Sequence, residues 1–296
     1  MKSPSTVLAI CGLSVGLSTH ALAQGTLAFE RDEHVWVAKL DGSGAKKIGK
    51  GSAPDLSPDG RLLVFNTDEP SKDVPIRRIA IADLHSDKVK IVEGLPSTNC
   101  IRPVWSGDGK ELLFQIITDN WHIARVAADG SGFQFVKKSE PTGRSYWSAC
   151  WAPDGKSFYC QDLDRLLQCD LNGGVQKTWD LHKLFPDAGF SSGARLDVAP
   201  DGRTMLLDAD LNEESLRKDW DGPPPSLWKL DLETSKVTRL SAKGNFDWEP
   251  RWLSADEYLF ISMSGGPSTI SVYRQKLDGS GRKLVLKNAR MPSAGR

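Results

Sequence analysis

One short phrase recurs along this chain at a nearly constant interval, and it constrains the fold more than any other feature. The phrase is a turn of the type Ser-Pro-Asp-Gly followed by a run of apolar residues. It reads SPDGRLLVF at 57–65, SGDGKELLF at 106–114, APDGKSFYC at 152–160 and APDGRTMLL at 199–207, with a degenerate copy, LSADEYLF, at 253–260. The central aspartates of the four intact copies are separated by 49, 46 and 47 residues. A period of about 40 to 50 residues with strand-like patterning indicates that one supersecondary unit is repeated around or along an axis.

Each repeat is predicted to contain four short strands. In the second repeat, strand-like segments occupy 53–57, 61–67, 77–83 and 88–92. The turns between such segments are rich in Asp, Gly, Ser and Pro, which is the pattern of β-hairpins. The repeating unit is therefore predicted to be a four-stranded antiparallel sheet.

The two ends of the chain carry complementary fragments of one such sheet. A turn between third and fourth strands recurs six times, beginning at Leu40, Leu84, Ala128, Leu171, Leu232 and Leu277. The turn between first and second strands recurs only five times, because the second-strand sequence at 26–31 has no first strand before it. The segment 289–293 resembles a first strand with no second strand after it. One C-terminal strand and three N-terminal strands would complete a sixth sheet.

These fragments favour a closed ring over the alternatives. Closure hides the sheet edges and joins the two termini. A linear solenoid would need capping repeats and would not explain the complementary ends, and a β-sandwich has no reason to repeat at this interval. We predict an all-β fold, a six-bladed β-propeller closed by a C-terminal strand that joins the N-terminal blade.

The repeats also resemble those of a known family. The sequence WSGDGKELLF at 105–114, together with turns such as LDGSG at 40–44, is similar to the repeats of the TolB-type propellers of bacterial envelopes. The resemblance covers nearly all of the chain after its first residues. It implies an envelope protein that works through partner proteins. TolB carries an α/β domain before its propeller, and we do not expect that domain here.

The first 23 residues are predicted to be an export signal rather than part of the fold. Lys2 is their only charged residue, an apolar run follows at 7–17, and the small residues Ala21 and Ala23 suit a signal peptidase. The apolar run is too short to span a bilayer. We expect a signal peptide at 1–23, a propeller at 24–296, and a periplasmic or secreted monomer without a membrane span.

The balance of charges and the spacing of candidate motifs limit the functions that this chain is expected to have. The chain has 38 basic and 38 acidic residues, so no basic field for nucleic acid is expected. The phosphate-loop-like segment at 44–50 lacks the Ser or Thr that would hold magnesium and is not followed by a helical pattern. The histidines lie in different repeats without a ligand spacing. We therefore predict no cofactor, no metal and no catalytic residue.

Four cysteines remain after the signal: Cys100, Cys150, Cys160 and Cys169. Export permits disulfides. Cys160 and Cys169 flank the turn at 163–164, so adjacent strands could place them opposite each other. We predict this pair as a possible disulfide, with Cys150 as a competitor for Cys160 and buried free thiols as the alternative.

Long connections are expected on one face of the ring, called here the long-loop face. It carries the loops after second strands and the crossovers between blades, with long segments at 66–76, 137–148, 179–194, 209–226 and 243–249. The opposite, tight-turn face carries the two short hairpin turns of each blade. Uneven loops on one side of a rigid scaffold are where function usually resides.

Aromatic and charged residues on the long-loop side are the candidate binding residues. The aromatic ones are typical anchors for a protein or sugar ligand, although several could instead fold down and plug the ring. Arg102, Arg195 and Glu249 occupy matching first-strand positions, which suits either a ligand at the channel mouth or an internal ring of ion pairs. The predicted binding residues are Arg102, Trp121, Tyr146, Trp147, Arg195, Trp220, Phe246, Trp248 and Glu249.

The leading hypothesis is an exported binding scaffold that recognises an envelope protein through the long-loop face. The rival hypothesis is a polysaccharide- or oligosaccharide-acting lyase or hydrolase, or a sugar-binding propeller. A lyase would need clustered histidines and a Lys, Arg or Tyr base at the channel mouth, and no such histidine cluster is visible in the sequence.

Overall fold

The computed structural model describes residues 25–72, 74–213, 218, 220, 222–263 and 269–295. The predicted signal peptide at 1–23 lies outside the described residues. So does much of 212–220, a segment that the sequence predicts to be helical because acidic residues come early in it and basic residues late. Within the described ranges, no helix has the length and apolarity needed to cross a membrane.

The described chain forms six antiparallel sheets of four or five strands each. Blade 1 contains β1 (Thr26–Arg31), β2 (His34–Lys39), β3 (Lys46–Lys50) and the last strand of the chain, β25 (Arg290–Ala294). Blade 2 contains β4 (Ser52–Leu56), β5 (Leu62–Asn66), β6 (Ile79–Asp83) and β7 (Lys88–Ile91). Blade 3 contains β8 (Cys100–Trp105), β9 (Glu111–Ile117), β10 (Trp121–Ala127) and β11 (Gln134–Lys137).

The second half of the ring repeats this plan with one elaboration. Blade 4 contains β12 (Trp147–Trp151), β13 (Ser157–Gln161), β14 (Arg165–Asp170) and β15 (Val175–Asp180), and a single helical turn, α1 (Leu181–Leu184), follows it. Blade 5 contains β16 (Ala188–Gly189), β17 (Leu196–Val198), β18 (Thr204–Leu211), β19 (Pro225–Asp231) and β20 (Val237–Arg239). Blade 6 contains β21 (Asp247–Trp252), β22 (Glu257–Ser262), β23 (Ser271–Lys276) and β24 (Lys283–Leu286).

The ring closes as the sequence predicts. The innermost strands contact one another in a cycle that runs β4, β8, β12, β17, β21, β25 and back to β4. The last strand, β25, pairs antiparallel with β1, with Leu27 opposite Ala294. The backbone N–H of Gly295 donates to the carbonyl of Thr26 at 3.3 Å, so the two ends of the described chain meet. The fold is a six-bladed β-propeller closed by a C-terminal strand.

The hydrophobic core lies between neighbouring blades rather than within one layer. Along β5, Leu63 and Phe65 pack against blade 1, whereas Val64 packs against blade 3. Successive strand residues point to opposite faces, and both faces are covered here. This arrangement explains why second strands read as continuous apolar runs instead of alternating patterns.

The recurring turn holds its shape through its aspartate. The Asp59 carboxylate accepts hydrogen bonds from the Ser57 hydroxyl at 2.6 Å and from the Arg61 N–H at 3.1 Å. Gly60 has a φ of 67°, which a residue without a side chain adopts at little cost. Asp108 repeats these contacts with Ser106 and Lys110. The aspartates are therefore structural turn residues, as the sequence indicates.

Three first-strand tryptophans tie neighbouring blades together. The indole N–H of Trp105 donates to the carbonyl of Asp55 at 3.1 Å, and that of Trp252 donates to the carbonyl of Asp197 at 3.0 Å. Trp151 makes the same contact with the carbonyl of Val104 at 3.2 Å. All three side chains are buried, so these tryptophans belong to the core.

Candidate functional site: the axial channel and the long-loop face

The first strands line the axis of the ring and share a bulge. The strand register shifts between Ser52 and Asp55 in blade 2, and it shifts at matching places in blades 3, 4 and 6. The residue at the bulge has a positive φ even though it is not glycine, as in Ala53, Arg102, Ser148, Glu249 and Met291. Such a conformation is costly, so its recurrence at equivalent positions marks a feature that the surrounding hydrogen bonds enforce.

Side chains at the ends of second strands hold these bulges in place. The Asn66 side chain accepts from the N–H of Arg102 at 2.8 Å and donates to the carbonyl of Cys100 at 2.7 Å. Asp208 accepts from the N–H of Arg195 at 2.9 Å and from that of Glu249 at 3.2 Å. Asn66 belongs to the blade before that of Arg102, and Asp208 to the blade before that of Glu249, whereas Arg195 lies in the same blade as Asp208. One blade therefore positions a channel residue of the next.

An ion pair crosses the channel near the long-loop face. The Arg102 guanidinium, on blade 3, lies 3.2 Å from the Glu249 carboxylate, on blade 6, and also donates to the carbonyl of Gly193 at 2.8 Å. The second Glu249 oxygen accepts from the N–H of Met291 at 3.0 Å. Blades 3 and 6 stand three places apart in the ring, so this pair spans the axis. The structure therefore brings two of the predicted charged residues together as an internal ion pair.

A second charged group lies two residues further along the first strands. Arg251 forms an ion pair with Asp55, and its Nε lies 3.8 Å from the carboxylate of Asp197. The Ser293 hydroxyl donates to Asp55 at 2.9 Å. This second layer of charges was not predicted from the sequence. A signal was available, because side chains two residues apart on a strand point the same way. Arg251 and Asp197 lie two positions after the predicted channel residues Glu249 and Arg195, and Asp55 and Ser293 lie two positions after the bulge residues Ala53 and Met291.

Arg195 is the third guanidinium at the channel. Only 7% of the residue is exposed, and it lies beside Ala194 and Leu196 in the wall of the channel. Burial, together with the positive charges of Arg251 and Arg102, lowers the pKa of Arg195 to about 10. The side chain is still protonated at neutral pH. Its guanidinium forms no hydrogen bond or ion pair with the described part of the chain, in contrast to Arg102 and Arg251.

The channel contains a cavity of about 280 Å³. Its wall includes Arg102 and Arg195 at one end and Pro58, Gly107 and Pro153 of the tight turns at the other. The Arg102 side chain crosses the axis at the first end. The cavity therefore opens toward the tight-turn face, away from the long loops.

The long-loop face carries a compact aromatic group, called here the Trp220 cluster and defined by Trp220, Phe246 and Trp248. The Trp220 ring lies 5.6 Å from the Phe246 ring and 5.8 Å from the Trp248 ring, measured between ring centroids. The Trp220 indole N–H donates to the carbonyl of Pro223 at 3.0 Å. Phe246 is buried, whereas the two tryptophans are half-buried and present ring surface to solvent.

The other predicted aromatic residues lie on blades 3 and 4. Trp121 and Trp147 are half-buried, and the indole N–H of Trp147 is buried without a partner among the described residues. Tyr146 is buried, donates from its hydroxyl to Glu140 at 2.6 Å, and lies under the ammonium of Lys137 at 5.0 Å. Tyr146 is therefore part of the packing beneath this face rather than an exposed anchor.

Other long-loop aromatics fold down into the ring, as the alternative interpretation allowed. Phe185 packs edge-to-face against Phe190 at 5.2 Å and against Trp228 at 5.4 Å. Trp179 is buried beside Tyr159. These residues fill the space between blades 4 and 5.

All four described cysteines are free thiols. The expectation that Cys160 and Cys169 lie directly opposite each other is wrong, because the register pairs Cys160 with Leu167 and Cys169 with Phe158. The two are diagonal neighbours on one face, and a hydrogen bond between their thiols raises the pKa of Cys160 and lowers that of Cys169. Their oxidation to a disulfide stays a prediction. Within the described ranges, no group of three or more His, Cys, Asp or Glu residues is placed to hold a metal ion.

Comparison with known proteins shows the fold class. No protein-family model and no curated protein sequence matches the chain. TolB from Acinetobacter baumannii superimposes with a TM-score of 0.69 at 16% identity, over 92% of this chain and 66% of that one. A TolB-type protein from Agrobacterium tumefaciens gives a TM-score of 0.61 at 18% identity, over 89% of this chain and 88% of that one. An oligogalacturonate lyase from Vibrio parahaemolyticus gives 0.54 at 14% identity, over 84% and 74%.

These similarities and the closed ring define the chain as a TolB-like six-bladed β-propeller. Similarities at identities this low establish the fold but not the activity, which has to be argued from the residues of this chain. The chain spans slightly less than two thirds of the length of the Acinetobacter TolB.

Proposed function

We propose that this chain is an exported β-propeller binding scaffold that engages a protein partner of the bacterial cell envelope through its long-loop face. The Trp220 cluster is the observation that carries the proposal. Half-buried tryptophans whose rings contact each other at a tilt offer a large, rigid contact area, and tryptophan is enriched among the residues that dominate binding energy at protein interfaces. The export signal predicted at 1–23 and the likeness to TolB-type propellers support a location in the cell envelope.

The position of the cluster also supports a role in recognition. Trp220 belongs to the segment between β18 and β19, which is longer than the equivalent connections of the other blades. The ladder between β18 and β19 is complete without this segment: it runs from the pair Thr204 and Asp231 to the pair Asp210 and Pro225. A ring does not need the extra length, so its aromatic residue is available for a partner.

Variants of the cluster test the proposal. Trp220→Ala and Trp248→Ala should each weaken capture of an envelope protein by about thirty-fold, because a hot-spot tryptophan contributes roughly 2 kcal/mol. The matched control is Trp36→Ala, a half-buried tryptophan of blade 1 that stacks on Phe29 at 6.4 Å. Capture from a solubilised envelope fraction would be quantified for immobilised wild type and for each variant.

Replacing 212–225 with a short Gly-Ser linker is the complementary experiment. It should abolish capture while the ring still folds, with a modest loss of stability because Phe246 loses its Trp220 cover. If capture survives this replacement but fails in Trp147→Ala, the contact lies on blade 4 instead. If no variant and no wild-type sample captures an envelope protein, the scaffold proposal fails.

The rival hypothesis, an oligosaccharide-acting or sugar-binding propeller, has a different signature. Its support is the fold similarity to oligogalacturonate lyases, including one in complex with manganese at a TM-score of 0.52. It predicts that oligosaccharides or divalent cations raise the melting temperature of the wild-type protein, while cluster variants leave that shift unchanged. A thermal-shift screen distinguishes the two hypotheses.

A further inference from the structure

The axial cavity holds one positive charge that no described residue neutralises. Three arginines line the cavity: Arg102, Arg195 and Arg251. Arg102 pairs with Glu249, and Arg251 pairs with Asp55. The Arg195 guanidinium has no carboxylate within ion-pair distance and no hydrogen-bond acceptor among the described residues, although its position is more than nine-tenths buried.

A buried and unpaired guanidinium is expensive to maintain. Transfer of an isolated ion from water into a protein interior costs several kcal/mol even after relaxation. The nearby carboxylates are already engaged: Glu249 with Arg102 and the N–H of Met291, Asp197 with the N–H of Trp252, and Asp208 with two backbone N–H groups. Burial raises the pKa of Asp208 to about 7, so this carboxyl carries only part of a negative charge at neutral pH.

The nitrogen atoms of Arg195 are not sealed by packing. Buried polar atoms without a partner occur in several side chains of the described residues, including Arg77, Arg125 and Arg239, but no atom of Arg195 is among them. Since its nitrogens also lack protein partners, they border open space, and the space at this position is the cavity. The charge is therefore reachable from the tight-turn face.

We infer that the axial cavity is a binding site for a small monocarboxylate, whose carboxylate pairs with Arg195. The planar guanidinium presents paired N–H donors that match a carboxylate. Val104, Leu196 and Trp151 supply apolar wall for the body of the ligand. The site opens on the face opposite the Trp220 cluster, so it is independent of the proposed protein contact.

Charge and size restrict the ligand class. Among the described residues that line the cavity, Arg195 is the one arginine without a paired carboxylate, so one negative charge balances the site. A dianionic phosphate would bring a second charge near Asp55 and Asp197, whose carboxylates are buried beside the same cavity. A volume of about 280 Å³ is just below the roughly 300–1,000 Å³ range of ligand pockets and suits a molecule the size of an aromatic or short aliphatic acid.

The test compares benzoate with its neutral isostere benzamide on the wild-type protein. Isothermal titration and ligand-observed NMR should give at least tenfold tighter binding of benzoate. Arg195→Gln should abolish this preference, and Arg195→Lys should retain part of it. Arg203→Gln is the matched control, because Arg203 is an exposed arginine of a tight turn and is already paired with Glu233. It should bind benzoate as the wild type does.

Stability provides a readout that does not depend on ligand. Unliganded Arg195→Gln should melt at or above the wild-type temperature, since the substitution removes an unpaired buried charge. Benzoate should raise the melting temperature of wild type but not of Arg195→Gln. Equal binding of benzoate and benzamide to wild type, or no binding of either, overturns the proposal even if the variant does not fold.

A second pair of probes identifies the source of the carboxylate. A tripeptide with a free carboxyl terminus and its amidated form would be titrated in the same way. Binding of benzoate without the free peptide indicates a free small acid as the ligand. Binding of both, with loss on amidation, indicates that a chain terminus can also enter from the tight-turn face.

Discussion

Asp208 serves two blades at once. Its carboxylate accepts the N–H of Arg195 in its own blade and the N–H of Glu249 in the next one, and it is buried while doing so. Burial raises its pKa from about 3.8 to about 7, and the negative charge of Glu249 contributes in the same direction. The folded protein therefore holds the proton of this carboxyl more tightly than the unfolded chain does.

The sign of the resulting pH dependence follows from linkage. The stabilisation from protonated Asp208 is fully present below about pH 4 and is lost as the pH rises through about 7. Asp208→Asn keeps an acceptor oxygen for both N–H groups and carries no charge. We expect this variant to match wild type at pH 4.5 and to exceed it at pH 8 by on the order of a few kcal/mol, since one pKa unit corresponds to about 1.4 kcal/mol. Denaturant unfolding at a series of pH values measures the difference.

Asp83 provides a control of opposite sign. It is half-buried, and the backbone N–H groups of Ser86 and His85 lower its pKa to about 2. Its contribution is present above pH 4 and is lost only on further acidification, so Asp83→Asn should track wild type between pH 4.5 and 8. Parallel stability curves for wild type and Asp208→Asn would contradict the assignment.

For single residues, the sequence predicted where the channel side chains lie better than it predicted which of them form ion pairs. Alignment of the repeats placed Arg102, Arg195 and Glu249 at equivalent points of the channel wall, and the structure places all three there. It left open whether they bind a ligand or one another. Arg102 and Glu249 pair with each other, whereas Arg195 does not, because only the former stand across the axis with their charges in reach.

Inner and outermost strands are protected from pairing with other chains in different ways. Inner strands are covered by neighbouring blades, but the outermost strand of each blade has one unpaired edge. Those strands are rich in lysine, as in β3 (KKIGK) and β7 (KVKI), and their exposed apolar residues are isolated, such as Val89 and Val175. Lysine on an exposed edge disfavours pairing with another chain.

The closing strand β25 should be essential to the ring. It pairs with β1, and its Ser293 hydroxyl bonds to the Asp55 carboxylate and accepts the N–H of Leu56 at 3.1 Å. Deleting 289–296 removes these contacts and leaves an inner edge of blade 1 unpaired. We expect the melting temperature to fall by roughly 10 °C or more and the protein to aggregate, because several kcal/mol are lost.

Calorimetry and light scattering measure this effect. A chain that ends after Ala294 is the control, since it keeps β25 intact and should behave as wild type. A protein lacking 289–296 that is as stable and as monomeric as that control would contradict the role of the closing strand.

Element positions were largely predictable, whereas details of register were not. The strand predicted at 53–57 is observed as Ser52–Leu56, and the one predicted at 88–92 as Lys88–Ile91. The diagonal offset of Cys160 and Cys169 depended on a turn in which the N–H of Asp162 bonds to the carbonyl of Arg165. That turn sets the register so that Cys169 lies two residues beyond the position opposite Cys160. An alternating pattern of residues does not specify turn geometry of this kind.

The described chain forms a ring, and its two ends, residues 25 and 295, meet inside one blade. Residues 25 and 295 flank the pairing of β1 with β25, and the backbone hydrogen bond between Gly295 and Thr26 joins these ends. The order in which blades follow one another around the axis therefore matters more to the fold than the point at which the chain starts.

A circular permutant tests this view. Residues 295 and 25 would be joined by a short Gly-Ser linker, and new ends opened between Ser131 and Gly132, in an exposed turn where a side chain added at Gly132 would point into open space. We expect a folded monomer with the wild-type circular dichroism spectrum and a loss of at most a few kcal/mol in unfolding free energy, because exposed loop tips tolerate new termini. The control, opened between the buried residues Leu113 and Phe114 of β9, should not fold. Failure of the first permutant with success of the second would contradict the ring-order argument.

The sequence by itself determined the repeating sheet, the number of blades, the turn chemistry of Asp59 and the closure by the last strand. These properties are periodic or local, and hydrogen bonding within short segments enforces them. Only the tertiary structure decided which charges meet at the axis. Arg251 and Asp55 are 196 residues apart in the chain, and Arg102 and Glu249 are 147 apart. Ring closure brings these pairs together and leaves Arg195 without a counter-charge, since whether buried charges pair depends on distances across the channel that no local pattern specifies.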